Sequence, residues 1–130
     1  MFNAKTFNNF LSKEECEWLI GLVSQGDPWE ARPDNPHWDK MAFHHALGNR
    51  LFGKKYLNFL EEKTQLVKQI IEKEYELEDE VYPDCASFNR WPIGRSQNPH
   101  ADDMKIHGVT GFESRVFGSL IYLNDNFEGG

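Results

Sequence analysis

An α+β domain is predicted, with helices up to about residue 80 and strands after Pro83. Three observations carry this. A capped, helix-periodic segment lies near the N-terminus, and a longer amphipathic stripe follows it. Residue usage then switches to alternating and β-branched runs broken by turn residues. Helices followed by strands fit an arrangement with helices against one face of a sheet.

The first helix is expected over residues 12 to 25. Ser12-Lys13-Glu14-Glu15 has the form of a capping box, in which a Ser hydroxyl takes one orphan amide and a Glu three residues on reaches back. Cys16, Leu19, Ile20 and Val23 then recur at helical spacing, and Gly26 is a terminator. From 27 to 50 the chain is irregular: Pro28, Pro33 and Pro36 alternate with Trp29, Trp38 and Phe43, with a short strand near 41 to 45.

The second helix is expected over about 54 to 77, where Tyr56, Phe59, Leu60, Val67, Ile70 and Ile71 form one stripe and Glu and Lys fill the other face. An acidic run and Pro83 close it. Strands are expected at 85 to 91, which alternates, and at 116 to 123, an apolar run in which Gly118 and Ser119 leave space on one side. Asn124-Asp125-Asn126 and Gly129-Gly130 are turn chemistry.

A length of 130 residues is that of one domain. The 39% hydrophobic and 14% aromatic content suits a packed core. With 14 basic against 21 acidic residues, the formal charge of -7 disfavours nucleic acid and anionic membrane as partners. No stretch approaches the roughly 20 apolar residues that span a bilayer, and the N-terminus is too polar for a secretory signal. The two cysteines, Cys16 and Cys85, read as isolated thiols rather than a bridge or a metal site. A cytoplasmic location is the expectation.

The chemistry concentrates at His100 and Asp102. In an extended strand residues i and i+2 share a side, so an imidazole nitrogen and a carboxylate oxygen can aim at one metal. Two such ligands and a further His form the facial triad of non-haem iron oxygenases, which leaves coordination positions open. A bare His-x-Asp is weak, because it arises by chance in about one chain in ten of this length. Its neighbours make it specific: Arg90-Trp91-Pro92-Ile93-Gly94, Pro99-His100-Ala101-Asp102, Arg115, Tyr122-Leu123-Asn124 and Gly129-Gly130 occur in that order.

This compound pattern resembles the front half of the iron site of the Fe(II)- and 2-oxoglutarate-dependent, prolyl-4-hydroxylase-like dioxygenases. Phe10-Leu11-Ser12 with Glu15-Cys16 looks like the opening helix of that family. The resemblance implies helices packed on a partial double-stranded β-helix, or jelly roll. Residues 1 to 82 would be a helical support region, and 83 to 130 the first strands. It implies His100 and Asp102 as Fe(II) ligands, and Tyr122 as a hydrogen-bond donor to the far carboxylate of 2-oxoglutarate. Trp91 stands where the family usually has a Tyr beside the cosubstrate pocket, a departure that leaves only an N–H donor and adds bulk. The implied cofactors are Fe(II), 2-oxoglutarate as cosubstrate, and ascorbate. The family's second metal His and its basic cosubstrate anchor come later than Gly130. The expectation is therefore an incomplete domain, inactive by itself, that hydroxylates a peptide or small-molecule substrate when completed.

Other residues are weaker candidates. His37, His44, His45 and His107 enter only as stand-ins for the second metal His, and Asp103 could replace Asp102 only through a bulge. Arg115 fits a structural ion pair better than a catalytic part. Residues 105 to 114 read as a surface loop. Two other functions compete. One is a non-catalytic relative that self-associates to cover an open sheet edge, giving a homo-oligomer. The other is a cupin-type metal-binding protein, which Gly94 and His100-x-Asp102 resemble loosely, although no suitably placed Glu follows.

Overall fold

A computed structural model describes residues 4–25, 27–84, 86–97 and 114–128. The described elements are helix α1 (Lys13–Ser24), strand β1 (Ala42–His44), helix α2 (His45–Glu74) and strand β2 (Ser87–Asn89). The mixed α+β content agrees with the sequence.

α1 begins where the capping box predicts. The Glu15 amide donates to Ser12 Oγ at 3.1 Å, and the Ser12 amide donates to Glu15 Oε2 at 2.8 Å. The helix ends one residue earlier than expected, with Gln25 extended as its C-cap. Leu19 is buried, and Trp18 meets Phe59 of α2 edge to face with ring centroids 5.1 Å apart. Lys63 of α2 reaches Glu15 at 2.9 Å, so the cap of α1 also ties it to its neighbour. That ammonium, then the Ser12 amide, hold the Glu15 carboxyl below its usual range.

α2 starts nine residues before the expected 54, at His45, but its helical geometry breaks at Gly53 (φ 76°, ψ −170°). The break explains the sequence reading: the long amphipathic stripe begins just after it. An L-residue at this φ would be strained, and Gly is not. The far end closes as a Schellman motif. The Leu77 amide bonds Glu72 O at 3.0 Å, the Glu76 amide bonds Lys73 O at 3.3 Å, and Glu76 itself is left-handed at φ 50°.

β1 and β2 pair antiparallel with Phe43 opposite Phe88, and their rings stack at 5.1 Å and 9°. The Arg90 amide extends this ladder to Met41 O at 2.8 Å, while the Glu30 amide bonds Ala42 O at 2.9 Å. Successive carbonyls of a strand point to opposite edges. β1 is therefore bonded on both sides. Around it sit Met41, Phe43, Tyr56 and Trp29, all buried, with Phe52 edge-on to both Phe43 and Tyr56. The Arg90 guanidinium lies over the Trp29 ring at 4.4 Å and donates to Lys40 O at 2.7 Å, capping the core from above.

Two strand expectations change. The run at 85 to 91 is a strand only at Ser87–Asn89, because a turn through Pro92 and Gly94 follows, with the Arg95 amide on Pro92 O at 3.0 Å. The run at 116 to 123 is not a strand among the described residues. β propensity expresses a fit to a pleated, paired surface, and no neighbouring strand pairs with this segment there. Val116, Leu120, Ile121 and Tyr122 are exposed. The described residues thus hold one two-stranded sheet, against the three strands expected at 41 to 45, 85 to 91 and 116 to 123. No helix among them is long and apolar enough to cross a membrane.

Candidate functional site

The turn after β2 places Trp91 beside the loop that precedes β1. Trp91 packs edge-on to Trp38 with centroids 5.6 Å apart, and His37 is edge-on to the other side of the pair, 5.7 Å from Trp38. The loop carrying His37 and Trp38 is built from chained turns. The Asn35 amide bonds Arg32 O, the Trp38 amide bonds Asn35 O, each at 2.9 Å, and the Met41 amide bonds Trp38 O at 3.2 Å. Asp39 Oδ1 accepts the Arg32 amide at 2.6 Å and closes the loop on itself. At its base Lys40 pairs with Asp27 at 2.8 Å, and that ammonium holds the Asp27 carboxyl below its ordinary value.

Between this loop and the turn after β2 lies an open cleft of about 490 Å³, lined by His37, Gly94, Arg95 and Ser96. Arg95 bridges the two walls: its NH1 donates to Pro36 O at 3.1 Å. Gly94 adopts φ 81°, the left-handed value that lets the turn reverse there.

Tyr122 lies elsewhere. It is 64% exposed, and its ring stacks on Phe127 at 5.8 Å and 20°. Trp91 and Tyr122, the two cosubstrate candidates, are therefore held by different partners. Arg115 takes the expected structural role, with Nε and NH2 each 2.8 Å from Asp84 Oδ2. His100, Asp102, Asp103, His107 and Cys85 lie outside the described residues. His44 closes β1 and His45 opens α2. Among the described residues no group of three or more His, Cys, Asp or Glu side chains could hold a metal ion. Those residues do not by themselves fit an iron centre, and no reaction step is assigned to them. Cys16 is a free, half-buried thiol, pushed up first by burial and then by Glu15 and Glu17.

The cleft was not visible in the sequence. His37 enters the sequence reading only as a stand-in metal ligand and Gly94 only as part of the motif before His100, and nothing in their spacing of more than fifty positions indicates that they meet. The aromatic weighting of the 27 to 50 segment was the available signal, because Trp38 is what brings Trp91 to it.

No family model, no curated protein and no solved structure matches this chain.

Proposed function

We propose that the chain is the N-terminal part of an Fe(II)- and 2-oxoglutarate-dependent oxygenase domain of the prolyl-4-hydroxylase-like type. His100 and Asp102 are two of its iron ligands, and Tyr122 and Trp91 belong to its cosubstrate pocket. The observation that carries this reading is the ordered series Trp91, Gly94, His100-x-Asp102, Arg115, Tyr122-Leu-Asn and Gly129-Gly130. The capped N-terminal helix, a strand that leads directly into the Trp91 turn, and the structural ion pair of Arg115 are compatible with it. Bound iron with a keto acid would supply oxidative C–H hydroxylation in such a domain. The protein's share is to hold the ligands and exclude water. A third metal ligand and a basic anchor for the cosubstrate would complete such a site. The 130 residues alone are expected to bind metal weakly and not to turn over 2-oxoglutarate.

Titration with Co(II) as a spectroscopic substitute for Fe(II) tests this. The chain should bind one ion, and His100→Ala and Asp102→Ala should each weaken binding by roughly tenfold or more. Equal binding by the parent and both variants would remove the iron reading.

A second reading is favoured by the exposed apolar run from Val116 to Tyr122. In it the chain is non-catalytic and self-associates through this segment. Sedimentation decides that point, since a strict monomer at high concentration rules it out.

A further inference from the structure

We propose that the cleft between the loop at 33–38 and the turn at 92–97 binds an organic carboxylate, with Arg95 as its anchor. This goes beyond the oxygenase reading and does not depend on metal at His100 and Asp102.

Arg95 is a cation that has been positioned but not neutralised. Its NH1 is pinned to Pro36 O, which fixes the guanidinium across the mouth of the cleft. Among the described residues it has no carboxylate partner, whereas Lys63, Lys68 and Arg115 are each paired with Asp or Glu. The acids of the neighbouring loop are mostly committed elsewhere: Asp27 to Lys40, Glu30 to Arg32, and Asp39 to the Arg32 amide. Asp34, the remaining one, forms no ion pair with Arg95 among the described residues. In a chain of charge -7, a basic site without an acid partner among the described residues is a place where an external acid can compete.

The chemistry of the walls selects the ligand. With NH1 taken by Pro36, the Nε and NH2 edge of the guanidinium remains, and that edge matches the two oxygens of a carboxylate. Ser96 and His37 line the same cleft, and a hydroxyl and an imidazole N–H can each donate to the remaining lone pairs. Trp91, 46% exposed, and Ile93, fully exposed, stand on the turn that forms one wall. An apolar body next to the carboxylate would cover them, so the ligand class is a carboxylate attached to an apolar group. A free small acid and an acidic peptide side chain both have this chemistry.

Nitrogen-15 NMR of the full chain, read at the Trp91 indole and the Arg95 Nε, tests the proposal. The probes are sodium 3-phenylpropionate, its uncharged amide, and a blocked Phe-Glu-Phe tripeptide, all at constant ionic strength. The expected result is a saturable shift of both signals with the acid and none with the amide. Arg95→Gln should weaken acid binding by about tenfold, as loss of a charge-assisted bidentate contact does. Arg95→Lys, which keeps the charge but not the fork, should lie between. Lys54→Gln, which removes one charge elsewhere, should bind like the parent. Tighter binding of the tripeptide than of the free acid assigns the site to peptide, and the reverse assigns it to a small acid. Equal shifts with acid and amide, or unchanged binding in Arg95→Gln, overturn the proposal.

Discussion

Two apolar runs in this chain have opposite fates. Met41-Ala42-Phe43 is buried, with Phe43 at 0% exposure, while the run from Val116 to Tyr122 lies open, with Leu120 at 78%. Their residue types are similar, and by β propensity the second is the better strand. What differs is backbone pairing. β1 is bonded on one edge by Glu30 and on the other by β2, and it is covered by Trp29, Phe52 and Tyr56. Contacts of the second run to the rest include that of Phe117 with Tyr75 and, just before it, that of Arg115 with Asp84. Hydrophobicity makes a segment available for a sheet; neighbours on both edges are what make it one.

The largest expected effect breaks this comparison directly. Phe43→Ala should lower unfolding stability by about 3 to 5 kcal/mol, because a fully buried ring leaves a cavity among the aromatic rings of Trp29, Phe52 and Phe88. Leu120→Ala should change stability by no more than about 0.5 kcal/mol. Urea denaturation of the two variants at low and high protein concentration measures both. If Leu120→Ala approaches Phe43→Ala, and only at high concentration, a second copy buries the run in solution, which favours the self-associating reading.

A smaller effect sharpens what close packing means on the buried side. A Cβ on Gly48 would lie 2.7 Å from Tyr56 Oη and 2.8 Å from Cε1. Tyr56 is fully buried, so the ring has little room to retreat, and the same burial pushes its phenol up to about 12. Gly48→Ala gains up to about 1 kcal/mol of helix propensity. Overpacking of about 1 to 3 kcal/mol opposes it, for a net loss of about 0 to 2 kcal/mol. Gly21 in α1 is the control, since a Cβ there meets nothing within 4 Å. Gly21→Ala should stabilise by about 0.5 to 1 kcal/mol. Thermal unfolding of the pair checks the sign, and a stabilised Gly48→Ala would show that the Tyr56 pocket is loose.

What could be read from the sequence follows the same division. Local codes were legible: the Ser12–Glu15 box, the stripe from Tyr56 to Ile71, and the short strand at Phe43, where the apolar run Met41-Ala42-Phe43 interrupts an irregular segment. Each depends on contacts within a few residues or on a single face. The start of α2 at His45 was not legible, because residues 45 to 52 lack the stripe and are held against the core through Phe52. The pairing of Phe43 with Phe88 and the meeting of His37 with Arg95 were also hidden, since no local pattern encodes which distant segment arrives. The motif around His100 is the reverse case. It is the most specific sequence signal, and His100 and Asp102 lie outside the described residues, so chemistry must test it.

The smallest effect concerns the junction between the two regions. Glu76 holds a left-handed conformation at the end of α2, next to Tyr75, whose ring meets Phe117 at 5.0 Å. A left-handed residue with a Cβ is strained, and an acidic side chain at a helix C-terminus opposes the helix dipole. Glu76→Gly removes both penalties and loses some unfolded-state restriction, for a net stabilisation of about 0.5 to 1 kcal/mol. The gain should appear in the unfolding midpoint and leave the exposure of the 116 to 123 run unchanged by hydrogen exchange. If the variant instead loses stability, the Glu76 side chain contributes to holding the C-terminal segment, and the two regions are coupled through this turn as well as through Tyr75 and Asp84.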